Sequence, residues 1–205
     1  MTKVCLDFNG VLADPAGALI EILKKDFGMR VPREGFGKHL IGKSFPNLVR
    51  GGRPKLLTKS VWEDAKDKLF DTNEFLAIPP IEGAIAALNA FQDAGCEIRI
   101  VTDARTVTRE RMEAWLKKHH FEGEIDIIFS RKRGSKEKYQ SCCDVVVDNE
   151  LEQLIPLVGK EGPQLVHFLS AGSGGITSLD ARILSLKGWP EVIECLLGRD
   201  IGLAA

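Results

Sequence analysis

Three short, mostly apolar runs in this chain each stop at side chains that carry oxygen. Val4-Cys5-Leu6 stops at Asp7, Ile98-Arg99-Ile100-Val101 at Thr102-Asp103, and Val145-Val146-Val147 at Asp148-Asn149. Runs this short, alternating with helical periodicity, read as strands of a parallel sheet covered by helices on both faces. Ligands of such sheets bind beyond the carboxyl ends of the strands. The pattern therefore predicts an α/β fold and also where its chemistry lies.

The remaining elements fit that frame. Glu82 to Ala94 reads as an Ala-rich helix closed by Gly95, and Val107 to His119 as a second helix. Ile125 to Phe129 and Leu165 to Phe168 read as strands, five in all. Leu151 to Val158 reads as helical, and Trp189-Pro190 opens a last helix, Glu191 to Leu197. Residues 14–77 differ: Asp14-Pro15 is a helix start, and Leu19, Ile20, Leu23 and Phe27 recur at helical spacing. So do Val61, Ala65, Leu69 and Phe70. The expected organisation is a sheet domain from 1–13 and 78–205, with a small helical unit of 14–77 inserted after the first strand. The Gly172–Gly175 cluster lacks the Lys-Ser/Thr of a phosphate-binding loop and reads as a plain loop.

Charge and cysteine content narrow the partners. Lys and Arg number 28 against 29 Asp and Glu, a net charge of −1 that argues against a whole-surface nucleic-acid binder. No apolar run approaches the ~20 residues that span a bilayer. Met1-Thr2-Lys3 leads straight into the first strand, with no cleavable signal pattern. Five cysteines without framework spacing predict free thiols in a reducing cytoplasm. The balance conceals an asymmetry: residues 14–77 carry twelve basic and nine acidic side chains, the remainder sixteen and twenty.

The strand ends suggest one chemistry. Asp7 and Asp148 near one point repel unless a cation lies between them, and such oxygen-rich surroundings suit Mg²⁺ with a substrate phosphate. Thr102 offers a hydroxyl to a phosphate oxygen. Lys138, ten residues before Asp148, supplies positive charge; spacing favours it over Lys136. An ionised carboxylate beside the metal is a nucleophile for phosphorus.

Leu6-Asp7-Phe8-Asn9-Gly10-Val11-Leu12 resembles motif I of the haloacid dehalogenase (HAD) superfamily. Pro79 to Arg105 resembles the stretch leading to the motif II threonine, here Thr102. Lys138 matches motif III, and Asp144 through Asp148-Asn149 matches motif IV. The likeness covers essentially the whole chain and is greatest to the 5′(3′)-deoxyribonucleotidase-like branch. It implies a Rossmann-like core with a helical C1 cap, an aspartyl-phosphate intermediate on Asp7, and a small phosphorylated substrate. It also implies Mg²⁺ held by Asp7, the residue 9 carbonyl and Asp148 with Asn149, and phosphoryl binding by Thr102, Asp103 and Lys138. No oligomeric state follows from it.

One residue departs from that pattern. HAD phosphatases usually carry Asp two residues after the nucleophile, where it protonates the leaving alcohol and then activates water. Asn9 can do neither, and losing a general acid–base costs ~10²–10⁴-fold in rate. Asn149 likewise stands where the branch commonly has a second acid. Four readings stay open: a slow phosphatase using another acid such as Asp103, an enzyme for substrates with good leaving groups, a phosphate-ligand binding or regulatory protein, or an introduced trap.

Other signals have plainer readings. His119-His120 sit at a helix C-terminus, where the dipole favours histidine. Cys142-Cys143 read as packing residues, Asp144 as a structural group at the far end of the sheet, and Asp14 as an N-cap. Arg131 to Lys136 reads as a solvated loop, a nucleic-acid patch, or an attractor of anionic substrate. Arg30 to Lys59 holds eight basic residues against one acid, with Phe36, Phe45 and Trp62 within or beside it. That combination suits a phosphate attached to a stackable base, a nucleotide, or else a solvated rim.

Overall fold

The computed structural model describes residues 1–37, 40–102, 107–130, 139, 143–159, 161–169 and 180–198. Six strands form one parallel sheet: β1 (Lys3–Leu6), β4 (Glu97–Thr102), β5 (Asp126–Phe129), β6 (Val145–Asp148), β7 (Gln164–Leu169) and β8 (Ile183–Lys187). Their spatial order is β5-β4-β1-β6-β7-β8, so the chain reverses direction of travel across the sheet at β1. Helices α3 (Ala84–Asp93), α4 (Arg109–Lys118), α5 (Leu151–Leu154) and α6 (Gly188–Leu197) belong to this part of the chain. All four residues of β6 are buried, as a strand covered on both faces requires.

Residues 14–77 hold α1 (Pro15–Phe27), α2 (Lys59–Asp71) and a 3₁₀ turn, Asn73–Ala77. Asp14 caps α1 by accepting from the Gly17 N–H, and Gly28 closes it at φ 64°, returning its N–H to Leu23 and Lys24. Leu19, Ile22 and Leu23 of α1 and Trp62, Ala65 and Leu69 of α2 are buried. The segment is not wholly helical: β2 (Ser44–Phe45) and β3 (Lys55–Leu56) form an antiparallel ribbon. Its two ends run side by side, with Asp14 N–H donating to the Pro79 carbonyl at 2.9 Å. Arg111 of α4 donates to the Phe70 and Asp71 carbonyls, each at 2.7 Å, and so satisfies the last turn of α2.

Three expectations need correction. The sheet has six strands rather than five, because β8 pairs in parallel with β7 from Ile183 to Lys187. The helix expected from Glu82 begins at Ala84, with Gly83 at φ 81° as its N-cap. The cysteines are not all free, since Cys5 and Cys143 form a disulfide. Placing β6 beside β1 brings their Cα atoms to 5.7 Å, within disulfide reach. Cys143 is thus a bridge rather than a packing thiol; Cys96 and Cys195 are free. Cys142 and the Gly172–Gly175 loop lie outside the described residues.

Candidate active site

β1 is the central reference of the site. Its neighbours are β4 and β6, with Leu6 opposite Ile100 on one side and Val147 on the other. The Asp7 N–H continues that pairing by donating to the Val147 carbonyl at 3.0 Å. Asp7, Asp148 and Thr102 therefore finish three adjacent strands at one edge, with neighbouring strands about 4.8 Å apart. All three are buried, Asp7 at 8% exposure, Asp148 at 1% and Thr102 at 0%.

The turn after β1 is held at several points. Phe8 accepts at its carbonyl from the N–H groups of Leu12 and Ala13, while Gly10 donates to Ala13 at 2.8 Å. Trp189 of α6 reaches across to donate its indole N–H to the Val11 carbonyl at 3.0 Å. Gly10 sits at φ 86°, and a Cβ there would lie 2.4 Å from Asn149 Nδ2. A glycine is thus required both for the backbone and for the Asn149 side chain to pack over it.

Asp148 is fixed by two donors. Tyr139 gives its hydroxyl to Oδ2 at 2.5 Å, and the Glu150 N–H gives to Oδ1 at 2.8 Å. The latter closes an Asx turn ahead of α5. Behind it in the register lies His167, opposite Asp148 on β7 and only 4% exposed. Burial pushes its imidazole below the ordinary histidine range, against the raising effects of the Asn149 backbone, Asp148 and Glu152. Sequence reasoning did not single out Tyr139 or His167. Their one signal is position, just before the β6 strand and beside its end.

Asn9 Oδ1 and Asn149 Oδ1 are buried without a hydrogen-bond partner. Unpaired buried acceptors are costly, and two beside a pair of carboxylates make a donor set of hard oxygens. That set fits a small divalent cation. Among the described residues no cluster of three His, Cys, Asp or Glu side chains exists, and the two amide oxygens would add to Asp7 and Asp148 at such a site. Asp103, Lys136 and Lys138 lie outside the described residues, as does the rest of Arg131 to Lys136.

A cavity of about 520 Å³ opens over this edge, lined by Asn9, Gly10 and Asn149 from the sheet side and by Leu19, Arg33 and Phe36 from residues 14–77. Arg33 forms an ion pair with Asp14, and Phe36 packs on Trp62 with ring centres 5.4 Å apart. Of the basic stretch, Arg33 lines the cavity; Lys38 is outside the described residues. Asp14 is the expected N-cap and also lines this cavity. A larger groove of about 1010 Å³ lies at the amino ends of β1, β4 and β5, away from the strand-end residues.

The plainer readings hold elsewhere. Asp144 accepts from the Lys3 N–H at 2.7 Å, at the opposite end of the sheet. His119 is the C-cap of α4, its ring tilted at 56° to that of Trp115 with centres 4.7 Å apart.

Solved structures share this architecture. A dehalogenase matches with a TM-score of 0.58 and 15% identity over 96% of this chain and 97% of its own. A HAD family hydrolase from Deinococcus radiodurans, holding phosphate and sodium, matches at 0.55 and 17% identity over 97% and 96%. The D,D-heptose 1,7-bisphosphate phosphatase from Burkholderia thailandensis matches at 0.51 and 14% identity over 97% and 100%. At such identities the likeness is one of fold. No curated protein matches. The family model described as 5′ nucleotidase, deoxy (pyrimidine), cytosolic type C protein matches residues 1–167, and the chain belongs to that family. It is accordingly an enzyme of the phosphatase/hydrolase class, 5′-nucleotidase-like.

Proposed function

We propose that the chain hydrolyses small phosphomonoesters, nucleotides among them, by passing the phosphoryl group to Asp7 and then to water. The observation that supports this most is the pair of buried carboxylates, Asp7 and Asp148, at the ends of adjacent central strands. Asp7, the Asn9 backbone carbonyl, Asp148 and Asn149 would hold Mg²⁺. Bound there, the ion supplies positive charge that offsets the phosphoryl oxygens.

The chain's own groups do the rest. Asp7 attacks phosphorus with one carboxylate oxygen, forming an acyl phosphate as the ester oxygen departs. Thr102 donates its hydroxyl to a phosphoryl oxygen, and Lys138 balances the developing charge. The Tyr139 and Glu150 donors keep Asp148 turned to the site. Asn9 neither gives the leaving oxygen its proton nor takes one from water, which weakens both steps. Residues 14–77 act as a cap over the core of 1–13 and 78–205, excluding water while the substrate is held. Phe36 and Leu19 suit the apolar face of a base or sugar, and Arg33 a further anionic group.

A cytoplasmic setting is supported by the cytosolic type in the family description. The structure has no helix long and apolar enough to cross a membrane among its described residues. The Cys5–Cys143 disulfide weighs against a strongly reducing setting. A second reading, phosphate-ligand binding without turnover, is favoured by Asn9 alone. Phosphate release from a panel of nucleoside monophosphates and sugar phosphates separates the two. Slow release that disappears in Asp7→Ala supports hydrolysis; release equal in both proteins overturns it.

A further inference from the structure

We propose that the Cys5–Cys143 bridge is a thiol-sensitive control on the strand-end site: closed, it holds Tyr139 against Asp148, and opened by a dithiol it releases Tyr139. The inference rests on the reading of Asp148 given above and adds to it a positioning residue and a means of regulation. Cys5 stands two residues before Asp7 on β1, and Val146, its partner in register, two before Asp148 on β6. Side chains two apart along a strand share a face. The bridge and both carboxylates therefore belong to one face of the sheet. The packing divides accordingly. Cys5, Val101, Tyr139 and Val146 form part of one buried cluster with Cys143 against it, while Val4, Leu6 and Val147 belong to another.

Tyr139 links the sulfurs to the site. It lies four residues before Cys143, is 2% exposed, and gives its hydroxyl to Asp148 Oδ2 at 2.5 Å. A donor behind a ligating carboxylate orients it, and losing that donor typically costs ~10–100-fold in metal affinity or activity. The start of β6 is fixed without the bridge. Asp144 N–H donates to the Lys3 carbonyl at 2.9 Å, and Lys3 N–H donates to the Asp144 carboxylate at 2.7 Å. Opening the bridge thus leaves the sheet paired, and what gives way lies ahead of Asp144. Two thiols need more room than a bonded pair of sulfurs, and a close-packed cluster resists added volume. Cys5 is fully buried between β4 and β6, so the strain passes to the partly exposed Cys143 and to Tyr139 in the same cluster.

Cys143 is also the sulfur that a reductant can reach, since Cys5 is fully buried. A thiolate of the dithiol attacks Cys143 Sγ, the S–S bond breaks, and Cys5 Sγ leaves with the electron pair and takes up a proton. The dithiol's second thiolate then attacks the dithiol's own sulfur in the mixed disulfide and releases Cys143, which is protonated in turn. The bridge is reduced to two thiols and the dithiol is oxidised to a disulfide, a two-electron exchange. Cytosolic disulfides are usually transient, catalytic or redox-sensing. A bridge that opens and closes therefore suits the cytosolic type in the family description.

The test compares the full chain with its bridge closed and after dithiothreitol, with its thiols counted and its fold checked by circular dichroism. Ring ¹³C labelling of tyrosine gives one set of signals, because Tyr139 is the single tyrosine. Those signals should move on reduction, return on re-oxidation, and stand at the reduced position in Cys5→Ala. Cys96→Ser, Cys142→Ser and Cys195→Ser combined in one chain should leave the response intact. With 4-nitrophenyl phosphate as the probe, the magnesium concentration for half-maximal release should rise about 10–100-fold on reduction. Tyr139→Phe should show the same rise with its bridge closed, and dithiothreitol should add nothing to it. Tyrosine signals that stay fixed while two further thiols appear overturn the proposal. So does a chain that forms no bridge under oxidant, or a Tyr139→Phe protein with the parent's magnesium requirement. Signals that move in a chain with no Asp7-dependent release support the bridge's hold on Tyr139 and overturn the hydrolase reading instead.

Discussion

Replacing Gly10 by alanine tests how the turn after the nucleophile is built. The residue sits at φ 86°, in the left-handed region where a Cβ costs about 1–2 kcal/mol. Alanine also narrows the unfolded ensemble, which returns about 0.4–1 kcal/mol. The added carbon would lie 2.4 Å from Asn149 Nδ2 and 2.9 Å from its Cγ, far inside contact distance. Because the obstacle is a side chain, it can swing away, at the loss of its packing over the turn. We expect Gly10→Ala to destabilise by about 2 kcal/mol in urea unfolding. Asn149→Ala in the same chain should recover about 1 kcal/mol, leaving the backbone part. Gly10→Ala should also abolish magnesium-dependent phosphate release, because Asn149 is displaced from the site. A single substitution within 0.5 kcal/mol of the parent, or a double mutant no more stable than Gly10→Ala, would refute this account of the turn.

Trp189→Phe keeps the packing against Phe168 and Phe91 but leaves the buried Val11 carbonyl without its donor. It should cost about 1–3 kcal/mol in the same assay. Burial lowers the pKa of both His119 and His167. A group held low in the folded state binds protons more readily when unfolded, so their stabilisation is present above the unfolded value of about 6.5 and is lost as pH falls below it. Thermal melts from pH 8 to pH 5 should fall in that window, and less so in His167→Gln. Cys143→Ser removes a bridge spanning 138 residues of sequence and should lower stability by about 2–5 kcal/mol, a loss that dithiol treatment of the parent reproduces.

What the sequence made legible was set by local chemistry. Asp7, Thr102 and Asp148 each end a run of residues suited to a buried strand, so their meeting at one edge followed from parallel pairing alone. β8 escaped because Ile183 to Lys187 is an edge strand, with only Ile183 fully buried, and its pattern lacks an apolar run. The disulfide was hidden by distance along the chain, since nothing near Cys5 names Cys143 until β6 is known to lie beside β1. The same is true of Trp189 and Val11, 178 residues apart. Arg33 and Phe36 were visible only as members of a basic, aromatic stretch. Their place in the cavity depends on how residues 14–77 fold back over Asn9 and Gly10.

We propose that these residues form a working phosphoryl-transfer site from which one proton carrier is missing. Asn9→Asp tests it most directly, with kcat measured on alkyl phosphomonoesters in magnesium buffer. A rise of about 10²–10⁴-fold over the unaltered chain is expected, abolished when Asp7→Ala is added. A folded Asn9→Asp protein with no gain on any substrate would contradict it.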